Sequence, residues 1–198
     1  DNFTIVNLLT TQNDFQLLLN KNGKSSLNKS KSSHIEVVNA EHDHVKHRLI
    51  SAKSPFLQAL NISDKEGVVY KSTQDKYKQI NHYIELLAPL IQQLDLKKWV
   101  RVVDMGSGKG YLTFALYDYL VNSLNIESQV VGIEYRSDLV NLCNEIASNF
   151  NFNNLYFIQG SILEYTGEKP NILIALHACD TATDDAIYKG IKAEADLI

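Results

Sequence analysis

Cysteine is scarce in this sequence: 198 residues hold two, Cys143 and Cys179, with no CxxC pair. A disulfide framework is thereby excluded, and a reducing, cytoplasmic setting is expected. Positive charge is also short. The formal net charge is -4 with 21% charged residues, so no overall affinity for nucleic acid is expected, and any such contact has to be local. Long apolar runs are missing. The most apolar stretch, 172–178, is far too short to cross a bilayer, and the first residues carry no basic, apolar leader pattern, so neither a membrane span nor a signal peptide is expected. Internal repeats are absent. What is present is a 44% hydrophobic composition, enough for one sizeable core with a small appendage.

The chain changes texture near residue 71. Before it, 3–9 and 15–19 are short apolar runs that read as strands around a turn at 10–14. Residues 20–33, rich in Asn, Lys and Ser, read as a polar loop or arm. After it the pattern becomes regular. Tyr77, Ile80, Ile84, Leu87, Ile91 and Leu94 recur at helical spacing, with Pro89 inside expected to kink or break the helix. Strands are expected at 100–103, 129–133, 155–158 and 171–176, with a fifth starting at 195–198. Helices are expected at 112–120, at 137–146 with Ser137 as its cap, and at 183–191. Strands alternating with helices imply an α/β fold: a Rossmann-like parallel sheet with helices on both faces. A small N-terminal α+β appendage precedes it, giving domains 1–71 and 72–198. Ligands of such sheets bind at the C-terminal edge of the strands.

The informative segment is Asp104-Met105-Gly106-Ser107-Gly108-Lys109-Gly110, between the first strand of that sheet and its helix. Gly106 and Gly108 permit a tight turn and close approach by a ligand, and Gly110 lets the helix start close to the strand. Unpaired backbone N–H groups there suit an anionic group. Three ligands compete. A nucleoside triphosphate loop needs glycine at 103 and Ser or Thr at 110, where Val103 and Gly110 stand. A dinucleotide loop needs its third glycine one residue later. S-adenosylmethionine proteins resemble Asp-x-Gly-x-Gly-x-Gly, which Asp104 completes. Glu134, after the second strand, can accept both ribose hydroxyls or simply end a strand in solvent. Tyr135 and Ile162 would lie either side of the adenine. Ser161 occupies the position where an acid often meets the adenine amino group.

The fourth strand ends in Leu176-His177-Ala178-Cys179-Asp180. In this fold such residues face the reacting methyl. His177 is a candidate base or positioning group, and Asp180 is a candidate to orient it or to cap the next helix. Cys179 reads as a small buried residue.

The segments 104–115, 175–184 and 75–81 together resemble a family of bacterial class I methyltransferase-domain proteins, the Leu-His-Ala-Cys-Asp run most specifically, from about His42 onward. The resemblance implies a Rossmann-like fold and S-adenosylmethionine as cofactor, held by Asp104, Gly106, Ser107, Gly108, Gly110, Glu134, Tyr135, Ser161, Ile162, Leu176 and His177. The acceptor is open, with RNA or protein both compatible. The family continues with a Cys-Cys-His segment, so the chain is expected to be an N-terminal fragment with the last strands missing. Two rivals remain: a non-catalytic module that binds the cofactor or RNA, and a nicotinamide oxidoreductase.

Lys21, Lys24, Lys29 and Lys31 lie together without acids between them. They could grip a phosphate backbone or sit in a solvated loop, and the stretch holds no aromatics for stacking bases. His42, His44 and His47 share no single face of a helix or strand, so no metal site is expected.

Overall fold

The computed structural model describes residues 4–20, 22–33, 48–94, 99–161, 166–176 and 181–198. The chain divides into two compact units, Asp1–Lys46 and His47–Ile198.

The first unit is a three-stranded antiparallel sheet in the order β1 (Ile5–Leu9), β2 (Asn13–Leu19), β3 (Ser25–Lys31). Strand β3 corrects the expectation of a polar loop at 20–33. Its composition opposes strand, yet seven residues pair in register with β2, from Asn13 with Lys31 to Leu19 with Ser25. The backbone ladder, which composition does not register, decides the conformation. The serines and lysines suit a solvent-exposed edge strand. Pairing also sets Lys29 opposite Phe15, with its Nζ 5.7 Å from the ring centroid. The basic stretch thus borrows an aromatic from the neighbouring strand.

The second unit runs α1 (Pro55–Ala59), a 3-10 turn, α2 (Gln74–Gln93), β4 (Trp99–Met105), α3 (Tyr111–Asp118) with a π turn to Ser123, β5 (Glu127–Glu134), α4 (Ser137–Asn149), β6 (Leu155–Gln159), β7 (Ile172–Ile174) and α5 (Thr181–Lys192). The four strands are parallel in the order β6-β5-β4-β7. Leu197 forms a parallel bridge to Ile172, the start of the expected fifth strand. Strand alternation divides the core. Val100 and Val102 face a large cluster with α1–α4, while Val103, Met105, Ile133 and Leu173 meet Ala186 of α5 on the opposite face. Helices therefore cover both faces, as expected for an α/β sheet. The outermost strand β6 is partly closed by Asn144 of α4, whose amide bonds both the N–H and the C=O of Phe157 at 2.7 Å.

Three local expectations change. Helix α2 runs unbroken through Pro89. Pro89 is exposed, so the carbonyl it leaves unpaired faces water, while Ile80, Ile84 and Ile91 anchor the helix on its buried face. Ser137 is the first helical residue of α4, and the cap position belongs to Arg136, with no side-chain cap. Residues 48–70 pack in the second unit: Ile50, Phe56, Leu57 and Ile62 join the core with Tyr77 and Ile80. Buried Asn81 fastens this segment to α2 by accepting the Ile50 N–H at 3.0 Å, and Tyr77 donates to the Ile50 carbonyl at 2.7 Å. No helix among the described residues is long and apolar enough to cross a membrane.

Candidate functional site

Because the strands are parallel, β4, β5, β6 and β7 end along one edge, and the glycine loop crosses it. Gly106, Gly108 and Gly110 all have positive φ, at 82°, 57° and 72°. Gly110 starts α3 against the sheet. A Cβ there would lie 2.9 Å from Phe114, 3.0 Å from Phe157 and 3.1 Å from the Cys143 sulfur. At Gly108 a Cβ would meet none of the described residues within 4 Å. We expect Gly110→Ala to lose about 2–4 kcal/mol in a denaturant titration, from left-handed strain plus overpacking. Gly108→Ala should lose only the strain, about 1 kcal/mol. Equal losses would mean that Gly110 is not held by packing.

The expectation of unpaired amides is corrected for four of them. The N–H groups of Gly106 and Ser107 both donate to the Ile133 carbonyl at 2.9 Å, and that of Gly110 to the Ser107 carbonyl at 2.9 Å. The N–H of Gly108 donates to Glu134 Oε2 at 2.8 Å. Such tight turns around the end of β5 consume these donors internally.

Glu134 does not end its strand in solvent. It is 8% exposed. Besides Gly108, its carboxylate accepts the Arg136 N–H at 3.0 Å and Arg136 Nε at 3.1 Å, both on Oε1. Burial pushes its pKa up, but the bonds from Arg136 and Gly108 outweigh it and hold the carboxyl below its ordinary value. Among the described residues these bonds leave one lone pair, on Oε2, available.

Asp104, at the end of β4, is 6% exposed. Thr113 Oγ donates to its Oδ2 at 2.6 Å. Burial pushes its pKa up to about 6, only partly offset by the Thr113 bond. Tyr83 of α2 is raised well above its ordinary value by burial and by the Asp104 charge. Its hydroxyl is buried without a hydrogen-bond partner among the described residues. Tyr83→Phe should therefore leave stability level or raise it by up to about 1 kcal/mol. A loss of more than that in thermal melts would show that the hydroxyl is satisfied in solution.

Two cavities hold residues expected at the site, the first of them against the loop. One, of about 250 Å³, is lined by Asp104, Ser107, Gly108 and Leu176, together with Lys76 and Gln79 from α2. The other, of about 310 Å³, is lined by Ile133, Ile158, Gln159, Gly160, Ser161 and Thr166. The structure thus brings Asp104, Ser107, Gly108 and Leu176 to one cavity and Ser161 to the next. Tyr135 stands 77% exposed just beyond Glu134. Ile162, His177, Cys179, Asp180, Lys21 and the three histidines His42, His44 and His47 lie outside the described residues. Among the described residues no cluster of His, Cys, Asp and Glu is arranged to hold a metal. Cys143 is buried, and burial and the Glu134 charge push its thiol up to about 12, which makes it inert as a nucleophile.

Sequence reasoning gave no role to Lys76, Gln79, Lys109, Tyr111 and Arg136, which also line the first cavity. The available signal was the i, i+3 spacing of Lys76 and Gln79 on the exposed side of α2, ahead of the glycine loop.

A family profile described as "Methyltransferase domain" matches residues 75–198. Curated relatives include a bovine protein described as "Glutathione S-transferase C-terminal domain-containing protein", 29% identical over 69% of this chain and 20% of its own length. Its human counterpart is 30% identical over the same shares. The chain spans about a fifth of the length of these relatives. Among solved structures, a dimethyladenosine transferase from Plasmodium falciparum has a TM-score of 0.41 at 21% identity, over 55% of this chain and 36% of that one. A coclaurine N-methyltransferase bound to N-methylheliamine and SAH has a TM-score of 0.38 at 17% identity, over 48% and 28%.

Proposed function

The chain belongs to the methyltransferase-domain family, and from that premise we propose that it binds S-adenosylmethionine at the strand edge and transfers its methyl group to an acceptor. The observation that carries this reading is a pair of buried acids, Asp104 and Glu134, ending adjacent parallel strands on either side of a positive-φ glycine loop. The donor set fits the cofactor. Asp104, buried and facing a cavity, with one hydrogen bond among the described residues, from Thr113, suits an ammonium group. Glu134 has acceptor capacity left for one ribose hydroxyl, not for both. Among the described residues, no atom lies within 4 Å of a Cβ placed at Gly108 or Gly160.

In this reading residues 72–198 carry the site, and 48–70 brace it from the α2 side. The loop of Gly106, Gly108 and Gly110 borders the methionine part by shape, its amides being engaged elsewhere. Tyr135 and Ile162 flank the adenine, and Ser161 meets its edge. Leu176 leads into His177, which stands near the acceptor with Asp180 orienting it. The bound cofactor supplies an electrophilic methyl on a sulfonium. The chain's task is then to align the acceptor with it, and acid–base help is secondary. RNA is the acceptor class supported by Lys29 and Lys31 on the Phe15 face of the first unit. The paucity of cysteine supports a cytoplasmic setting.

Calorimetric titration with S-adenosylmethionine, with NAD and ATP as controls, tests the reading. Binding of the methyl donor alone is expected. Preference for NAD would move the chain to the oxidoreductase class, and silence toward all three would remove the cofactor.

A further inference from the structure

The bound amino acid of the proposed cofactor is a zwitterion, and its carboxylate needs a positive partner as much as its ammonium needs Asp104. Loop amides commonly serve an anion at this position. Here four of them are spent: Gly106 and Ser107 on Ile133, Gly110 on Ser107, and Gly108 on Glu134. Among the described residues, three cationic side chains line the same cavity as Asp104, namely Lys76, Lys109 and Arg136. Arg136 is paired with Glu134, and Lys109 is exposed on the loop. Lys76 differs from both. It is half-buried, its Nζ donates to Gln79 Oε1 at 2.8 Å, and it sits 5.1 Å from the centroid of the Tyr111 ring. Both neighbours are neutral, so they orient the ammonium without cancelling its charge.

Resting on the methyltransferase reading above, we propose that Lys76, positioned by Gln79 and Tyr111, is the carboxylate-binding group of the site and makes it selective for ligands that keep the amino-acid end. Helix α2 then becomes one wall of the binding site. A lysine held in place before the ligand arrives loses less side-chain freedom on binding than a mobile one. Asp104 and Lys76 in one cavity give the polarity that a zwitterion needs.

The test compares two ligands on this chain by calorimetry: S-adenosylhomocysteine, which carries the carboxylate, and 5′-methylthioadenosine, which lacks the amino-acid end. Lys76→Met should weaken S-adenosylhomocysteine about 10- to 100-fold, the range for a hydrogen bond to a charged group. Methylthioadenosine should bind the variant as it binds the unaltered chain, which also reports that the pocket is intact. Lys76→Arg should restore most of the lost affinity. Equal affinity of Lys76→Met and the unaltered chain for S-adenosylhomocysteine overturns the proposal. So does a loss that is the same for both ligands, since that marks a structural role. If the unaltered chain binds neither ligand, the cofactor reading fails and takes this assignment with it.

Discussion

Asp104→Asn should make the protein more stable while disabling its site. At neutral pH the folded chain carries an ionised carboxylate that burial penalises, with a pKa pushed up to about 6 from an ordinary 3.8. Below about pH 4 the group is protonated whether the chain is folded or not, and Asp and Asn behave alike. As pH rises toward 6 the unfolded chain ionises freely and the folded chain resists, so stability is lost through that window. Above it the loss is complete and amounts to about 3 kcal/mol. The amide keeps an oxygen for the Thr113 hydroxyl, which donates at 2.6 Å. Denaturant titrations should therefore show the variant level with the unaltered chain near pH 4 and ahead by about 3 kcal/mol above pH 7. Affinity for S-adenosylmethionine should run the other way, falling at least about tenfold at neutral pH for want of a charged partner for the ammonium. The unaltered chain should itself lose affinity below pH 6, as Asp104 takes up a proton. Equal stability at all pH values would mean that Asp104 is solvated. Undiminished affinity would remove it from the binding site.

Glu134→Ala should fail in two ways at once. Its carboxylate accepts the N–H of Gly108, and truncation leaves that half-buried donor unpaired and releases Arg136. A stability loss of about 1–3 kcal/mol is expected. Loss of the ribose contact should weaken S-adenosylmethionine by about 10- to 100-fold, one hydroxyl bond to a charged acceptor being removed. Glu134 is held below its ordinary pKa by Arg136 and Gly108, so it stays ionised through pH 5–8. The pH dependence of binding over that range then belongs to Asp104. A folded Glu134→Ala chain with full affinity would leave Glu134 as a clamp on the loop and nothing more.

The two acids show how far the linear chain can be read. Both were identifiable from position, one two residues before a glycine run and the other at the end of the next strand. Their states were not. Asp104 is raised because folding buries it, and Glu134 is lowered because folding brings the donors of Arg136 and Gly108 to its carboxylate. Gly110 was legible for the role it has, because a strand-to-helix turn at close range has one steric solution. The amides of Gly106, Ser107 and Gly108 were misread because their acceptors, the Ile133 carbonyl and the Glu134 carboxylate, lie on another strand.

The sequence by itself determined the alternation of strand and helix and the glycine loop with its flanking acids. These are local, since periodicity and turn chemistry act over a few residues. Only the tertiary structure decided that a run of serines and lysines is the strand β3, that α2 passes through Pro89, that residues 48–70 belong with the second unit, and that Lys76 and Gln79 share a cavity with Asp104. Each of these depends on partners far away in the chain: a ladder, a buried helix face, a core, and two elements meeting across a strand edge. Distance in sequence hides them, and packing brings them together.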